Sequence, residues 1–306
     1  MKGNSAIAQA SAVCVLEARA TLGEGPVWDE RSQALYFVDI EAPALFRLDP
    51  ASGALKRWDM PARIGCFALD GSGAGAVLAL ATGFARIDFA SGAIAVIANP
   101  LAGVAEHRLN DGAADPAGRF WSGSMHLSTR RPTGTVYCLE AGGTAPARAR
   151  AVYEGFFVPN GFAWSPDGAR FYINDSPRAM FVAEFDAAAG RAGPPFVFAD
   201  VSAAPGYPDG MAADTEGFLW NARWDGGGIA RFAPDGRLDR FVALPVSRPT
   251  SCAFGGPKLD RLYVTSARKG LDAAALAREP LAGGVFVFEP GVPGLPARRW
   301  RGLGQG

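Results

Sequence analysis

Four short segments of the 306-residue chain set an oxygen-bearing side chain beside glycine. They are Leu22-Gly23-Glu24-Gly25-Pro26-Val27-Trp28, Arg108-Leu109-Asn110-Asp111-Gly112, Val158-Pro159-Asn160-Gly161-Phe162 and Tyr207-Pro208-Asp209-Gly210-Met211. Taken singly, Asn-Gly and Asp-Gly are turn dipeptides and a lone glutamate is a surface charge. Their spacing says more. Asn110, Asn160 and Asp209 precede the aromatic strand positions Phe120, Phe171 and Phe218 by 10, 11 and 9 residues, and Glu24 precedes Tyr36 by 12. Equivalent positions on successive units around one axis would bring together an acid, an amide and another acid. Such hard oxygen donors suit Ca²⁺, Mg²⁺ or Mn²⁺ with waters completing the shell, and Zn²⁺ or Fe²⁺ remain open. No histidine need take part. Each segment is expected just before a strand, in loops that converge on the mouth of a channel.

The elements that would position these groups recur. A turn of the Asp/Pro/Gly kind followed by an aromatic or aliphatic strand is found at residues 34–40, 76–80, 119–122, 170–174, 218–222 and 261–265. Counting from Tyr36, Leu78, Phe120, Phe171, Phe218 and Leu262, the steps are 42, 42, 51, 47 and 44 residues, which makes six units. The turns Asp49-Pro50-Ala51-Ser52-Gly53, Asp115-Pro116-Ala117-Gly118, Ser165-Pro166-Asp167-Gly168, Asp214-Thr215-Glu216-Gly217 and Ala233-Pro234-Asp235-Gly236 keep step with them. Pro presets one dihedral, Asp bonds back to the backbone and Gly accepts positive φ, so each reads as a hairpin connection. Units of this length with about four short strands each are propeller blades, whereas solenoid repeats are shorter and sandwiches have no period. The expected fold is therefore all-β, a six-bladed β-propeller forming one domain over 1–306, with 1–11 a flexible extension. Residues 12–18 would complete the last blade beside 284–288, and residues 271–277 form a short helical excursion in a loop.

Composition narrows the partners. Lys plus Arg equals Asp plus Glu at 30 each, so no positive field draws in nucleic acid or an anionic membrane, and a small, fairly neutral ligand fits better. No run of apolar residues is long enough for a membrane span, and Gln9, Ser11, Glu17 and Arg19 interrupt what would be a leader. A cytoplasmic protein with no implied protein partner is expected. Cys14, Cys66, Cys138 and Cys252 have no metal-site spacing and read as reduced, buried thiols. Gly71-Ser72-Gly73-Ala74-Gly75 is followed by a strand rather than a helix, so it is a turn and not a phosphate loop.

The four segments, with Asp115-Pro116-Ala117-Gly118-Arg119, Gly123-Ser124-Met125, Trp164-Ser165-Pro166-Asp167-Gly168 and Cys252-Ala253-Phe254-Gly255-Gly256, resemble the regucalcin (senescence marker protein)/gluconolactonase family over nearly the whole chain. The resemblance implies a six-bladed propeller with one divalent cation bound by Glu24, Asn160 and Asp209. It implies that Arg108 and Asn110 hold the sugar's hydroxyls and ring. Some members carry a further glutamate where this chain has Ser128, and Gly123-Ser124-Met125-His126 looks more like bacterial pentonolactonases. Xylono- and arabinonolactone are thus substrates to expect alongside gluconolactone.

Lactone hydrolysis needs an activated water, a polarised carbonyl and a proton for the leaving alkoxide. Asp209 is expected to act as ligand and general base. Trp224 either covers the apolar face of a sugar or packs in the core, and Arg223 and Asp175 hold comparable positions. His107, His126 and Ser128 are candidates for supporting or substrate roles, while Asp111 braces its loop. The rival readings are a calcium-binding propeller without catalysis and a metal-dependent esterase or phosphotriesterase.

Overall fold

Each repeat alternates tight turns with β-branched and aromatic runs, so it folds as an antiparallel sheet with two apolar faces that neighbouring sheets must cover. The computed structural model describes residues 12–140, 147–200, 202 and 204–302. Six such sheets form a six-bladed β-propeller. Blade 1 comprises strands Gly23–Asp29, Ala34–Asp39, Ala44–Leu48 and Leu55–Asp59, from axis to rim. The innermost strands of blades 2 to 6 are Ile64–Leu69, His107–Ala114, Pro159–Trp164, Tyr207–Ala213 and Pro249–Gly255. With Gly23–Asp29 they touch one another in a closed cycle. Blade 4 departs from the pattern with a fifth strand, because both Arg191–Ala192 and Phe196–Ala199 pair with Ala179–Asp186.

The ring closes as the sequence predicts: Val13–Leu16 lies antiparallel to Val285–Phe288, with Val13 opposite Val287. The expected extension over 1–11 falls outside the described residues. A short helix, Ala273–Arg278, is capped by the Asp272 carboxylate, which accepts from Ala275 N–H at 2.7 Å. All four cysteines are free, and Cys14 is only partly buried, because it lies on the strand that closes the last blade. No helix among the described residues is long and apolar enough to cross a membrane.

The turn aspartates do more than close turns. Asp115 accepts from the backbone N–H of Ala117 and Arg119 at 2.8 and 2.9 Å and from Trp121 Nε1 at 3.1 Å. Asp214 accepts from Phe218 N–H and Trp220 Nε1, each at 2.9 Å. Both indoles are fully buried and so need that acceptor. Between blades 3 and 4, Trp121 packs with Trp164, Phe171 and Phe185, and Trp164 stacks on Phe171 at 5.0 Å. Truncating such an aromatic to alanine costs about 3–5 kcal/mol.

One expectation is corrected. The four oxygen-bearing segments are not loops ahead of strands; Glu24, Asn110, Asn160 and Asp209 lie within the innermost strands themselves. At the opposite end of the channel, residues 294–301 lace the blades by bonds from Gly294 N–H to Leu259 O, Leu295 N–H to Ala213 O, and Trp300 N–H to Leu69 O.

Candidate functional site

Every innermost strand carries one extra residue relative to its partner, at the same height in all six blades. Such a bulge re-aims the side chain beside it. The residues at this height are Glu24, Gly65, Asn110, Asn160, Asp209 and Thr250. Gly65 is forced: a Cβ there would stand 2.0 Å from the backbone oxygen of Asn110. Gly161, after Asn160, has φ +56°, and a Cβ on it would meet Asn174 Nδ2 at 2.4 Å. The dipeptides that resemble turns are bulges for this reason.

Two of these residues, Asn110 and Asn160, form a chain of bonds with Arg108 and Ser176. Arg108 Nη1 donates to Asn110 Oδ1 at 2.6 Å, which turns the Asn110 amide so that its Nδ2 donates to Asn160 Oδ1 at 2.6 Å and to Pro159 O at 2.9 Å. Asn160 Nδ2 in turn donates to Ser176 Oγ at 2.7 Å, which fixes its amide with one lone pair of Oδ1 remaining. Asp111 accepts from Gly161 N–H at 2.6 Å and braces blade 3 against blade 4. Asp39 and Asp175 play matching parts at the ends of second strands. Asp39 accepts from Thr21 and Leu22 N–H, and Asp175 from Phe157 and Val158 N–H, so each holds the segment entering a functional strand.

The carboxylates are the costly members. Glu24 and Asp209 are both buried, and Asp209 Oδ1 has no hydrogen-bond partner among the described residues. Burial pushes the Glu24 carboxyl well above its usual range, with Asp209 and Asp111 adding repulsion. Burial likewise raises Asp209, and Asp111 adds to it. Burial also lifts Asp111 to about 6. Burial lowers the Arg108 guanidinium to about 10, against the pull of Glu41 and Glu24, so it stays charged at neutral pH. Its Nη1 donates to Leu109 O and Asn110 Oδ1. An orphaned buried carboxylate oxygen, a second buried carboxylate and an oriented amide oxygen fit a divalent cation, which would satisfy all three. Among the described residues no three His, Cys, Asp or Glu side chains converge in the manner of a metal site; the third donor here is an amide.

Glu24, Arg108, Asn110, Asn160 and Asp209 all line one cavity of about 570 Å³, with Trp224 on its wall. Trp224 also packs against the core of blades 1 and 2 and carries the Arg248 guanidinium over its ring at 5.0 Å. His126 and Ser128 do not line the cavity. Ser128 N–H donates to His126 Nδ1 at 3.1 Å, which places the ring proton on Nε2, towards Glu106 at 3.2 Å. Their neighbours Leu127 and Thr129 face the cavity instead. His107 bonds Ala105 O and Thr133 Oγ1 and anchors the same loop. Arg223 is fully buried and donates to the carbonyls of Ala204, Pro205 and Gly206.

Residues 22–268 match the model of the SMP-30/Gluconolactonase/LRE-like region. The chain belongs to this family. It is 37% identical to the 6-deoxy-6-sulfogluconolactonase of Pseudomonas putida, over 92% of this chain and 95% of that one. It is 38% identical to the L-arabinolactonase of Azospirillum brasilense, over 96% and 97% respectively. The crystal structure of a calcium-binding protein, regucalcin, from Agrobacterium tumefaciens superposes with a TM-score of 0.88 at 30% identity, covering 94% of this chain and 96% of that one.

Within this family member, sequence reasoning missed Glu41, Arg63, Ser176, Tyr207 and Lys269, all of which line the cavity. A signal existed for Glu41, Ser176 and Lys269. Each follows the end of a second strand, at Asp39, Asp175 and Ser266, and so returns to the same face as the bulges.

Proposed function

We propose that this protein hydrolyses an aldonolactone to the aldonic acid, with a divalent cation held by Glu24, Asn160 and Asp209. The observation that carries this reading is the unpartnered, buried Oδ1 of Asp209, beside Glu24 and the oriented Asn160 amide, on the wall of a cavity of sugar size. The lactonase names of two relatives aligned over nearly the whole chain support the reaction type.

A cation bound there supplies Lewis-acid polarisation of the lactone carbonyl and makes a water more acidic. Arg108 and Asn110 orient the sugar's hydroxyls and ring from the neighbouring blade, and the Arg108 charge favours the oxyanion that develops on the carbonyl oxygen. The Asp209 carboxylate takes a proton from the water as the water oxygen bonds the carbonyl carbon. The bond from that carbon to the ring oxygen then breaks, and Asp209 returns the proton to the ring oxygen, which leaves as a hydroxyl. Trp224 covers an apolar face of the substrate and, with Leu127 and Val158, excludes bulk water.

Xylono-, arabinono- and gluconolactone, an aryl ester and a phosphotriester, each followed by proton or product release, test the reaction class. Turnover of the lactones at rates well above those of the ester and phosphotriester is expected. Preferential turnover of the aryl ester or phosphotriester would place the chemistry elsewhere, and cation binding without turnover of any substrate would leave a binding protein.

A further inference from the structure

Three cationic side chains, Arg63, Arg108 and Lys269, line the cavity, and Glu41 stands among them. Arg63 precedes the innermost strand of blade 2, while Lys269 and Glu41 follow the second strands of blades 6 and 1. The Glu41 carboxylate bonds Lys269 Nζ at 2.5 Å and Arg63 Nη2 at 2.8 Å. Burial pushes the Glu41 carboxyl up, but the Lys269 bond and the charges of Lys269, Arg63 and Arg108 outweigh it and hold the group below its usual range. Glu41 is thus ionised at neutral pH and shared by three cations. Its side chain is 17% exposed, whereas those of Arg63 and Lys269 are 43% and 47% exposed, so both cations keep an open side.

The charge on this wall exceeds what a neutral sugar requires. With a divalent cation at Glu24 and Asp209, those two carboxylates are matched, and three cations then face the single carboxylate of Glu41. Half-exposed ion pairs add little to stability, so lacing three blades together is a poor reason for keeping Arg63 and Lys269 here. A cleft lined by one sign of charge between low-dielectric walls selects ligands of the opposite sign.

We propose that the cavity takes a sugar lactone bearing an oxyanion substituent (sulfonate, phosphate or carboxylate) on its terminal carbon, bound by Arg63 and Lys269. The inference rests on the lactonase reading and names the substrate class of that same site. Arg63 supplies a planar fork for two oxyanion oxygens, and Lys269 supplies a point charge.

The test compares lactones that differ only at the terminal carbon: hydroxyl, phosphate or sulfonate. At low ionic strength kcat/KM for the charged lactones should exceed that for the neutral one by about tenfold or more, and the ratio should fall towards one near about 0.5 M salt. Arg63→Gln and Lys269→Gln should each lower kcat/KM for the charged lactones at least about threefold more than for the neutral one. Calorimetry with the unreactive products gives a readout without turnover: the phosphorylated aldonate should bind more tightly than the plain aldonate, in a salt-dependent manner. A preference for phosphate but not sulfonate would still support an oxyanion site, of narrower geometry. Turnover of the neutral lactone with no preference for charge would overturn this inference and leave the lactonase reading intact. Turnover of none, with no aldonate bound, would overturn both.

Discussion

The Asn110 amide donates to Asn160 Oδ1 across 2.6 Å, from blade 3 to blade 4. Asn110 is itself held by Arg108 Nη1, so a group assigned to the sugar also sets the orientation of a group assigned to the cation. Partners that orient a ligand typically matter about 10- to 100-fold in metal affinity. Asn110→Ala should therefore weaken divalent-cation binding by about that factor, as titrated by calorimetry. Unchanged affinity would show that Asn160 needs no such support.

Asp209 has opposite effects on stability and turnover. Asp209→Asn should lower kcat by about a thousandfold or more, because it removes the proton acceptor. The same change removes a buried charge whose ionisation burial and Asp111 oppose. In chelator at pH 8 the variant should be more stable than wild type, by about 1 kcal/mol or more. Thermal melts with and without chelator measure this. A variant less stable than metal-free wild type would contradict the strain assigned to the two carboxylates.

The six-unit period placed the second strands closely, from Ala34–Asp39 to Arg261–Ser266, because repeated turns and apolar runs are local signals. It also marked Glu24, Asn160 and Asp209, since equivalent positions in a ring share an axis. It misjudged their setting: Asn160-Gly161 and Asp209-Gly210 read locally as turns, and only the closed ring of strands makes them bulges. Ser128 attracted notice through the family pattern, yet its side chain serves His126 while Leu127 and Thr129 face the cavity. The positions of Glu41 and Lys269 after second strands were legible, but their pairing with each other and with Arg63 was not, because it joins residues from three blades that no single repeat contains.

Gly65 tests the bulge geometry. A Cβ at this position would stand 2.0 Å from Asn110 O and 2.7 Å from Leu109 O, both backbone atoms. Gly65→Ala should destabilise the fold by about 1–3 kcal/mol or more, as overpacking does, and should lower activity by moving Asn110. Urea melts and lactone turnover read the two effects. Wild-type values for both would mean that the innermost strands of blades 2 and 3 are not so closely apposed.

Acid stability has a specific source in Asp29. Burial raises its pKa, but bonds from Ser32 Oγ at 2.7 Å and Arg31 N–H at 3.0 Å, with Arg299 alongside, bring it below the usual value. A lowered folded-state pKa gives stability that is present above the unfolded pKa, about 4, and is lost as pH falls through the folded value. Asp29→Asn should then cost about 1–3 kcal/mol at pH 7, and the gap to wild type should narrow below about pH 4. Urea melts at several pH values check it; a gap independent of pH would contradict this source.

The proposed lactone hydrolysis requires a divalent cation held by Glu24, Asn160 and Asp209. The most direct measurement is the rate of proton release from an aldonolactone by wild-type protein stripped with chelator, then refilled by titration with Ca²⁺, Mg²⁺, Mn²⁺ or Zn²⁺. Stripping should reduce the rate to near the uncatalysed level, and at least one cation should restore it at one equivalent per chain. Full activity in the stripped, verified metal-free protein would show that Glu24, Asn160 and Asp209 hold no cation that the reaction needs.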